Sequence, residues 1–343
     1  MTPLRLAVIG CGSVSLTCHL PAIRSCPEVE LVAVVDVDGD WAARVARRFG
    51  ARHASTDYTS LVGLADAVIV ATPNATHADV AGFCLQHGIH VLCEKPVATT
   101  GASARRMFDV ALAHDTRCMA AHCLRFAKNI QAAKRLFDCG TLTRPLTITG
   151  SLGKAYRADA YRTDFRRNAQ LAGGGVLIDL GVHLIDLSIW LAADHPTVAA
   201  VTLVDRLEWG VEHDADLTLA FPNGSTARLA CSYTKPGNPA FRLETADGWT
   251  VPSFENHSEL QLYSPRAPVC RRDGAQRLLI PDPGAYVTQL RHFASSILTR
   301  KPFAVQTDEV LAGMDVVDEC YTQWRTETCQ SEERNLLQAP AAS

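Results

Sequence analysis

At 343 residues with a net charge of −3, the chain is long enough for two domains of roughly 150 residues each, and it carries no global field favouring nucleic acid or an anionic membrane. Its composition, 47% apolar and 20% charged, is that of an ordinary globular protein. No apolar run approaches the roughly 20 residues that span a bilayer. Met1-Thr2-Pro3-Leu4 enters a strand pattern without a charged segment and signal core, so a cytoplasmic protein is expected. The twelve cysteines include no Cys-x-x-Cys pair. Cys84, Cys93 and Cys118 sit in apolar segments where cysteine acts as a small hydrophobe, so free thiols and no metal site are expected.

Leu4 to Ile9 is a near-continuous apolar run, as in a parallel strand buried on both faces. It runs into Gly10-Cys11-Gly12-Ser13-Val14-Ser15, then a helical stretch to about Ser25, then a strand from Leu31 to Val35 closed by Asp36. Strand, glycine turn, helix, strand and acidic residue form the dinucleotide fingerprint in its proper context. Gly10 permits the tight turn, and Gly12 lets backbone amides approach a pyrophosphate at the helix N-terminus, with Ser13 and Val14 in the same turn. Ser15 departs from the pattern at the third glycine. Asp36 suits the ribose 2′-hydroxyl and repels a 2′-phosphate, and Val37 follows where an arginine would accommodate one, so NAD is favoured over NADP. The competing role for Asp36 is to cap the helix starting near Gly39.

The alternation continues with a helix from Trp41 to Phe49 ended by Gly50. A strand from Ala67 to Ala71 leads to Thr72-Pro73-Asn74-Ala75-Thr76-His77, where Thr76 is placed to cap a helix reaching His87. Ile89 to Cys93 is a strand, Ser103 to Ala113 a helix, and Arg117 to Ala121 the last strand of a six-stranded Rossmann sheet complete near His122. The Ile89 strand ends in Glu94-Lys95-Pro96. Ligands of doubly wound sheets bind beyond the strands' carboxyl ends, so Lys95 is placed to touch one; Pro96 stops the strand there. The plain alternative is a surface lysine at a strand end.

Residues 123–343 form the second domain. A helix spans Phe126 to Phe137, and strands span Leu146–Leu152, Val198–Arg206, Ala215–Phe221 and Thr226–Tyr233. Phe221-Pro222-Asn223-Gly224 signals a hairpin, with Asn-Gly suited to a type I′ turn. Arg242–Ala246 and Leu260–Tyr263 extend the sheet. Val287, Leu290, Ala294 and Ile297 mark one closing helix, and Val310, Met314, Val317 and Tyr321 a second. The tail after Gln330 lacks periodicity and is expected to be loose.

In Gly173-Gly174-Gly175-Val176-Leu177-Ile178-Asp179-Leu180-Gly181-Val182-His183-Leu184-Ile185-Asp186, the three polar residues Asp179, His183 and Asp186 share one helix face. In so apolar a helix that stripe is expected to face water or a site, with the glycines letting the helix start approach a ligand. The competing reading is a core histidine satisfied by a neighbouring carboxylate.

Together, Gly10-Cys11-Gly12, Asp36, Ala71-Thr72-Pro73-Asn74 with His77, Glu94-Lys95-Pro96, Arg125-Phe126 and Gly173-Gly174-Gly175 through Asp179 and His183 make the chain resemble the Gfo/Idh/MocA family of oxidoreductases. The resemblance spans residues 4 to about 192. It implies a Rossmann domain (1–122) followed by an α+β substrate and oligomerisation domain (123–343) with a large open, mostly antiparallel sheet. It implies reversible hydride transfer between nicotinamide and a secondary alcohol of a sugar, sugar derivative or cyclitol, in a homodimer or homotetramer. Thr72, Pro73, Asn74, His77, Glu94 and Lys95 would then join the glycine turn at the cofactor.

The chemistry needs a base within reach of the alcohol proton. His183 is assigned that role, with Asp179 orienting it or contacting a neighbouring hydroxyl. Lys95 would stabilise the developing alkoxide, and a Lys95 acid/base role stays open. Arg125 joins the substrate residues through the same resemblance. Lys154, Arg157, Arg162, Arg166 and Arg167, with Tyr156 and Tyr161, form a basic, aromatic loop before the glycines. Tyr156 and Arg162 there suit a phosphorylated or nucleotide-linked sugar, against a solvated loop paired with Asp159 and Asp164. Two other classes remain: NAD-dependent glycoside hydrolysis on the same site, and a non-catalytic cofactor sensor.

Overall fold

The computed structural model describes residues 2–156, 165–205, 209–235, 237, 239–253, 259–263 and 275–338, of which 252–253, 275–276 and 327–338 are described as backbone only. Strands β1 (Leu4–Ile9), β2 (Val29–Val35), β3 (His53–Ser55), β4 (Ala67–Val70), β5 (His90–Cys93) and β6 (Cys118–Ala120) form one sheet in the order β3-β2-β1-β4-β5-β6. Every pairing in it is parallel. The whole of β4 and Val91 to Cys93 of β5 are fully enclosed, because helices cover both faces of such a sheet. These helices are α1 (Leu20–Arg24), α2 (Gly39–Phe49), α3 (Asn74–Gln86) and α4 (Gly101–Ala113). Strand order reverses between β1 and β4, and the crevice at that switch point is where an open α/β sheet takes its ligand.

The short edge strand β3 carries no periodicity to read, since it spans three residues and two are exposed. Helix α3 begins at Asn74, two residues before the expected cap. The Thr76 hydroxyl instead bonds the Pro73 carbonyl and Thr72 Oγ1, both at 2.8 Å.

The second half holds β7 (Leu146–Gly153), β8 (Thr197–Val204), β9 (Asp214–Ala220), β10 (Thr226–Ser232), β11 (Ala240–Thr245), β12 (Thr250–Ser253), β13 (Glu259–Tyr263) and β14 (Ala275–Leu279). Their order is β14-β13-β12-β11-β7-β10-β9-β8. All neighbours are antiparallel except β7 and β10. The β9–β10 turn is not type I′. Pro222 fixes a negative φ at the first central position, and Gly224 alone takes the left-handed conformation, at φ 84°. Gly224 N donates to Phe221 O at 2.9 Å and Phe221 N to Ser225 O at 3.0 Å. This is the three-residue loop with a glycine bulge.

Helices α5 (Lys128–Asp138) and α7 (Val182–Ala192) pack on this sheet, the short α6 (Ala169–Ala172) lies against α3, and α9 (Thr307–Gln338) lies against α7, α4 and β8. Past Gln330, α9 continues to Gln338 as helix. Glutamate, arginine, leucine and glutamine, which fill this stretch, are good helix formers. The run Ala169–Ala192 is long and apolar enough to cross a bilayer, but 78% of its apolar window is buried inside the protein. Helix α8 (Ala285–Thr299) returns to the first half: Leu290, Phe293, Ala294 and Ile297 join the Rossmann core with Val310 and Met314. Val317 and Tyr321 on α9 belong to the other core.

Candidate active site

Gly10 takes φ 94°, and a Cβ there would overlap the Ala71 carbonyl. Its N–H donates to Val35 O at 2.8 Å, which locks the turn to β2. Ser15, buried in place of the third glycine, donates from Oγ to Gly10 O at 2.5 Å. A Cβ on Gly12, by contrast, would meet no protein atom within 4 Å. That open side, at the start of a helical run with Ser13 exposed and Val14 half-buried, fits a pyrophosphate on backbone amides. Asp36 is buried, its carboxylate accepting from Cys11 N at 2.9 Å and Asp38 N at 3.1 Å. Asp38 rather than Asp36 caps α2, through Trp41 N at 2.9 Å. Val37 stands 92% exposed beside them.

At the end of β4, the Asn74 amide donates to Ala172 O at 2.8 Å, tying the first half to the segment before Asp179. His77 is buried between Thr72 O and Pro96 O, each 2.7 Å from a ring nitrogen. Two carbonyls call for a doubly protonated ring, while burial pushes the pKa down. We read one contact as a hydrogen bond and the other as close packing. Asn74 and His77 therefore brace the site walls, while Thr72 and Pro73 remain half-buried at the crevice.

Glu94 is enclosed, with Oε1 2.7 Å from His19 Nε2 and Oε2 accepting from Lys95 N at 3.1 Å. Burial works against its charge, but His19 and Lys95 outweigh burial and hold it below the usual carboxylate range. His19 ends the π-helical turn Ser15–His19. The glycine turn and the base of Lys95 are thus joined through one carboxylate.

Lys95 reaches across to the second half. Its Nζ donates to Asp179 O at 2.6 Å and Asp179 Oδ1 at 3.0 Å. Asp179 Oδ2 accepts from Arg166 Nε at 2.9 Å and Tyr233 Oη at 2.8 Å. Burial opposes ionisation of Asp179, yet Lys95, Arg166 and Tyr233 override it and keep the carboxylate charged far below its ordinary range. His183 is half-buried, with Nδ1 enclosed and without a partner. Burial first, then Lys95 and His122, push its pKa well down, against Asp179. Burial and the positive charge of Lys95 thus both favour the neutral imidazole.

The three-residue polar stripe divides in two. Asp179 lies in a π-helical turn, Leu177–Gly181, that precedes α7 and changes the register; such turns recur at functional sites. Asp186 instead meets Arg125, at 2.9 Å from Nε and 2.7 Å from the terminal nitrogen Nη2. Arg125 also bonds Glu309 and packs over Trp190. Its side chain is fully enclosed, so the substrate contact expected of Arg125 is corrected to a buried ion pair.

The glycine run is also corrected, from ligand approach to packing. A Cβ on Gly173 would meet Thr99 at 2.5 Å, one on Gly174 the Tyr321 hydroxyl, and one on Gly175 the Glu212 carbonyl. Buried Glu212 accepts from Gly175 N at 3.0 Å, Leu177 N at 2.9 Å and Tyr321 Oη at 2.8 Å. It holds the segment that presents Asp179. Nothing local in the sequence marks Glu212 or Tyr233, whose partners are distant in the chain.

Arg157, Asp159, Tyr161, Arg162 and Asp164 lie outside the described residues. Tyr156 is half-buried with its ring 5.5 Å from Tyr233 and 5.2 Å from Trp209, and Arg167 stacks over Trp209 at 4.4 Å. An aromatic wall therefore begins at the residue that holds Asp179.

Residues 4–122 match the model of the oxidoreductase family with an NAD-binding Rossmann fold, and residues 130–250 match the GFO/IDH/MocA C-terminal domain. The chain belongs to the Gfo/Idh/MocA family. It is accordingly an NAD(P)-dependent oxidoreductase of the dehydrogenase and reductase type, and several of its curated relatives carry names of enzymes acting on sugars, while another is a 4-carboxy-2-hydroxymuconate-6-semialdehyde dehydrogenase. Levoglucosan dehydrogenase of Pseudarthrobacter phenanthrenivorans is 31% identical over 258 residues, which are 67% of this chain and 66% of that protein. The dTDP-3,4-didehydro-2,6-dideoxy-α-D-glucose 3-reductase of Actinomadura kijaniata is 27% identical over 92% of this chain and 94% of its own length. Among solved structures, levoglucosan dehydrogenase with NADH and levoglucosan superposes with a TM-score of 0.83 at 22% identity, covering 94% of this chain and 98% of that one. The aldose–aldose oxidoreductase from Caulobacter crescentus with glycerol gives 0.83 at 23% identity over 95% and 98%. At these identities the structures establish the shared fold.

Proposed function

We propose that the chain is an NAD-dependent dehydrogenase that interconverts a secondary alcohol and ketone on the ring of an unphosphorylated sugar or glycoside. The observation that carries this is the meeting of Lys95 from the first half with Asp179 from the second, at 3.0 Å, next to neutral His183. When bound, the nicotinamide takes up or returns the hydride. Gly10, Gly12, Ser13 and Val14 would hold its pyrophosphate, Asp36 its ribose, and Thr72 and Pro73 the crevice wall.

His183, being neutral, takes the alcohol proton as general base. Lys95 has three N–H donors; two go to Asp179, which leaves one for the reacting oxygen. Asp179 stays ionised and fixes the ammonium, and Glu94 fixes the backbone beneath it. Tyr156 and Trp209 offer aromatic faces for the sugar's C–H surface.

Asp36, Asp38 and Asp40 around exposed Val37 make a negative rim at the ribose, which supports NAD over NADP. Among the described residues of the basic loop, Arg166 is engaged by Asp179 and Arg167 by Trp209, which supports an uncharged ring over a phosphorylated one. Relatives named levoglucosan dehydrogenase and D-glucoside 3-dehydrogenase fit that choice.

The test is NADH formation across levoglucosan, methyl glucosides, D-xylose, myo-inositol, sugar phosphates and dTDP-sugars, with NAD and NADP. The proposal expects turnover on an uncharged ring, faster with NAD. NAD binding without turnover on any of them points to a sensor, and glycosidic cleavage without net NADH to a hydrolase. A homodimer or homotetramer through the outer sheet face is also proposed; sedimentation of a monomer would refute it.

A further inference from the structure

The carboxylate that holds Lys95 divides its two oxygens between different partners. Oδ1 takes the ammonium at 3.0 Å. Oδ2 takes Arg166 Nε at 2.9 Å and Tyr233 Oη at 2.8 Å. The last torsion of an aspartate side chain is broad and roughly two-fold, so a carboxylate with one oxygen unbonded is free to turn. The main chain beneath does not set that torsion. Asp179 N donates to Gly175 O at 3.1 Å, and Glu212 holds Gly175 and Leu177, but all of these bonds act before Cβ.

Both Oδ2 donors come from anchored positions. Tyr233 directly follows β10 and is 5% exposed. Its N–H donates to His213 O at 2.8 Å, and its carbonyl accepts from Tyr156 N at 3.1 Å. Burial first, then the charge of Asp179, push its phenol well above the ordinary tyrosine range, so the hydroxyl remains a donor at neutral pH. Arg166 stands in the short 3-10 turn Phe165–Arg167, its guanidinium 4.8 Å from the centre of the Phe165 ring. One donor is neutral and ends a strand; the other is charged and precedes the glycine run.

We propose that Tyr233 and Arg166 are positioning residues that keep the third N–H of Lys95 available by holding Asp179 Oδ2 away from it. This rests on the proposed role of Lys95 as donor to the reacting oxygen. Among the described residues, Lys95 Nζ donates to Asp179 O at 2.6 Å and to Oδ1 at 3.0 Å, and its third N–H meets no protein acceptor. Strip the donors from Oδ2, and a partly buried anionic oxygen is left unmatched beside that N–H, a costly state. Turning the carboxylate relieves it, because a bond from ammonium to carboxylate is charge-assisted and strong. Lys95 would then be closed on Asp179 at both oxygens, with nothing aimed at a developing alkoxide. Tyr233 and Arg166 act through Asp179, so neither needs to touch the sugar.

Kinetics on the sugar that the substrate screen identifies test this. Tyr233→Phe keeps the ring and removes only the hydroxyl; it is expected to lower kcat about fivefold with KM for NAD within about twofold, and Arg166→Met to do the same. Arg166→Lys, which retains a donor, is expected to recover part of the Arg166→Met loss. The double variant Tyr233→Phe with Arg166→Met is expected to lose about 10²-fold. Stopped-flow NADH formation in a single turnover separates positioning from folding. A misdirected Lys95 lowers the rate constant at full amplitude, whereas loss of folded enzyme lowers the amplitude at the wild-type rate constant. A fall confined to amplitude, or a wild-type rate constant in the double variant, overturns the proposal. A crystal structure of the double variant is expected to show both Asp179 carboxylate oxygens within hydrogen-bond distance of Lys95 Nζ; an Oδ2 still turned away from the ammonium overturns it as well. Lys95→Ala keeps the two claims apart. Full turnover there sinks the role of Lys95 and the positioning with it, whereas a slow Lys95→Ala beside a wild-type rate constant in the double variant sinks the positioning alone.

Discussion

The segment from Leu177 through α7 carries two carboxylates, Asp179 with 15% of its side chain exposed and Asp186 with 4%, and each meets a cation from earlier in the chain. Asp186 meets Arg125, whose guanidinium is closed off from water by Glu309 and Trp190. Asp179 meets Lys95, whose side chain keeps 13% of its surface and a spare N–H donor. Residue type does not separate the pairs, since each sets a basic side chain against an aspartate. Solvent access and unspent donors do: the closed pair ties α7 and α9 to the segment before α5, and the open one keeps an N–H unspent, as the proposed substrate contact requires.

The sharpest break of this comparison comes from the open pair. Lys95→Ala is expected to lower turnover about 10²–10⁴-fold while NAD affinity stays nearly intact, read by steady-state NADH formation beside NAD fluorescence titration. If Lys95→Ala and His183→Ala both keep near-full turnover, the site assignment is wrong. The closed pair should answer in stability. Arg125→Ala is expected to cost about 3–5 kcal/mol by stranding Asp186, and Arg125→Met with Asp186→Leu to recover much of it. Denaturant unfolding measures both; a double variant as unstable as the single would contradict this account.

Smaller effects sharpen the picture. Gly12→Ala is expected to leave stability within about 0.5 kcal/mol, because its methyl meets open space, while weakening NAD binding. Gly10→Ala should instead unfold more readily, since its methyl would overlap Ala71. Glu212 gives a pH signature. Burial raises its folded pKa above the ordinary glutamate range, so its contribution is complete below about pH 4.3 and is lost as pH rises through the folded value. The melting-temperature difference between wild type and Glu212→Gln should therefore drift against wild type as pH rises; a flat difference would place the raised pKa in doubt.

Much of this was legible in the chain alone. The β1–turn–helix–β2 unit announces itself because periodicity, Gly10, Gly12 and Asp36 are close in sequence. Lys95 is readable because a strand end in a doubly wound sheet has a known destination. Contacts between distant segments are not legible. Arg125 looks like a substrate residue until Asp186 and Glu309 are seen around it, and Tyr233 looks like a strand end until its hydroxyl meets Asp179. The shared face of Asp179, His183 and Asp186 assumed an unbroken α-helix, which the π-helical turn interrupts. The glycine run showed that something comes close, without showing that it is Thr99, Tyr321 and Glu212.

The return of α8 onto the Rossmann core bears on how such proteins diversify. A recombination joint at residue 122 would appear to exchange one substrate half for another. It would also strip Leu290, Phe293, Ala294 and Ile297 from the nucleotide half, leaving a raw apolar scar. A viable chimera must carry residues 285–314 along with the first half or re-match them, so a working exchange moves these two modules together.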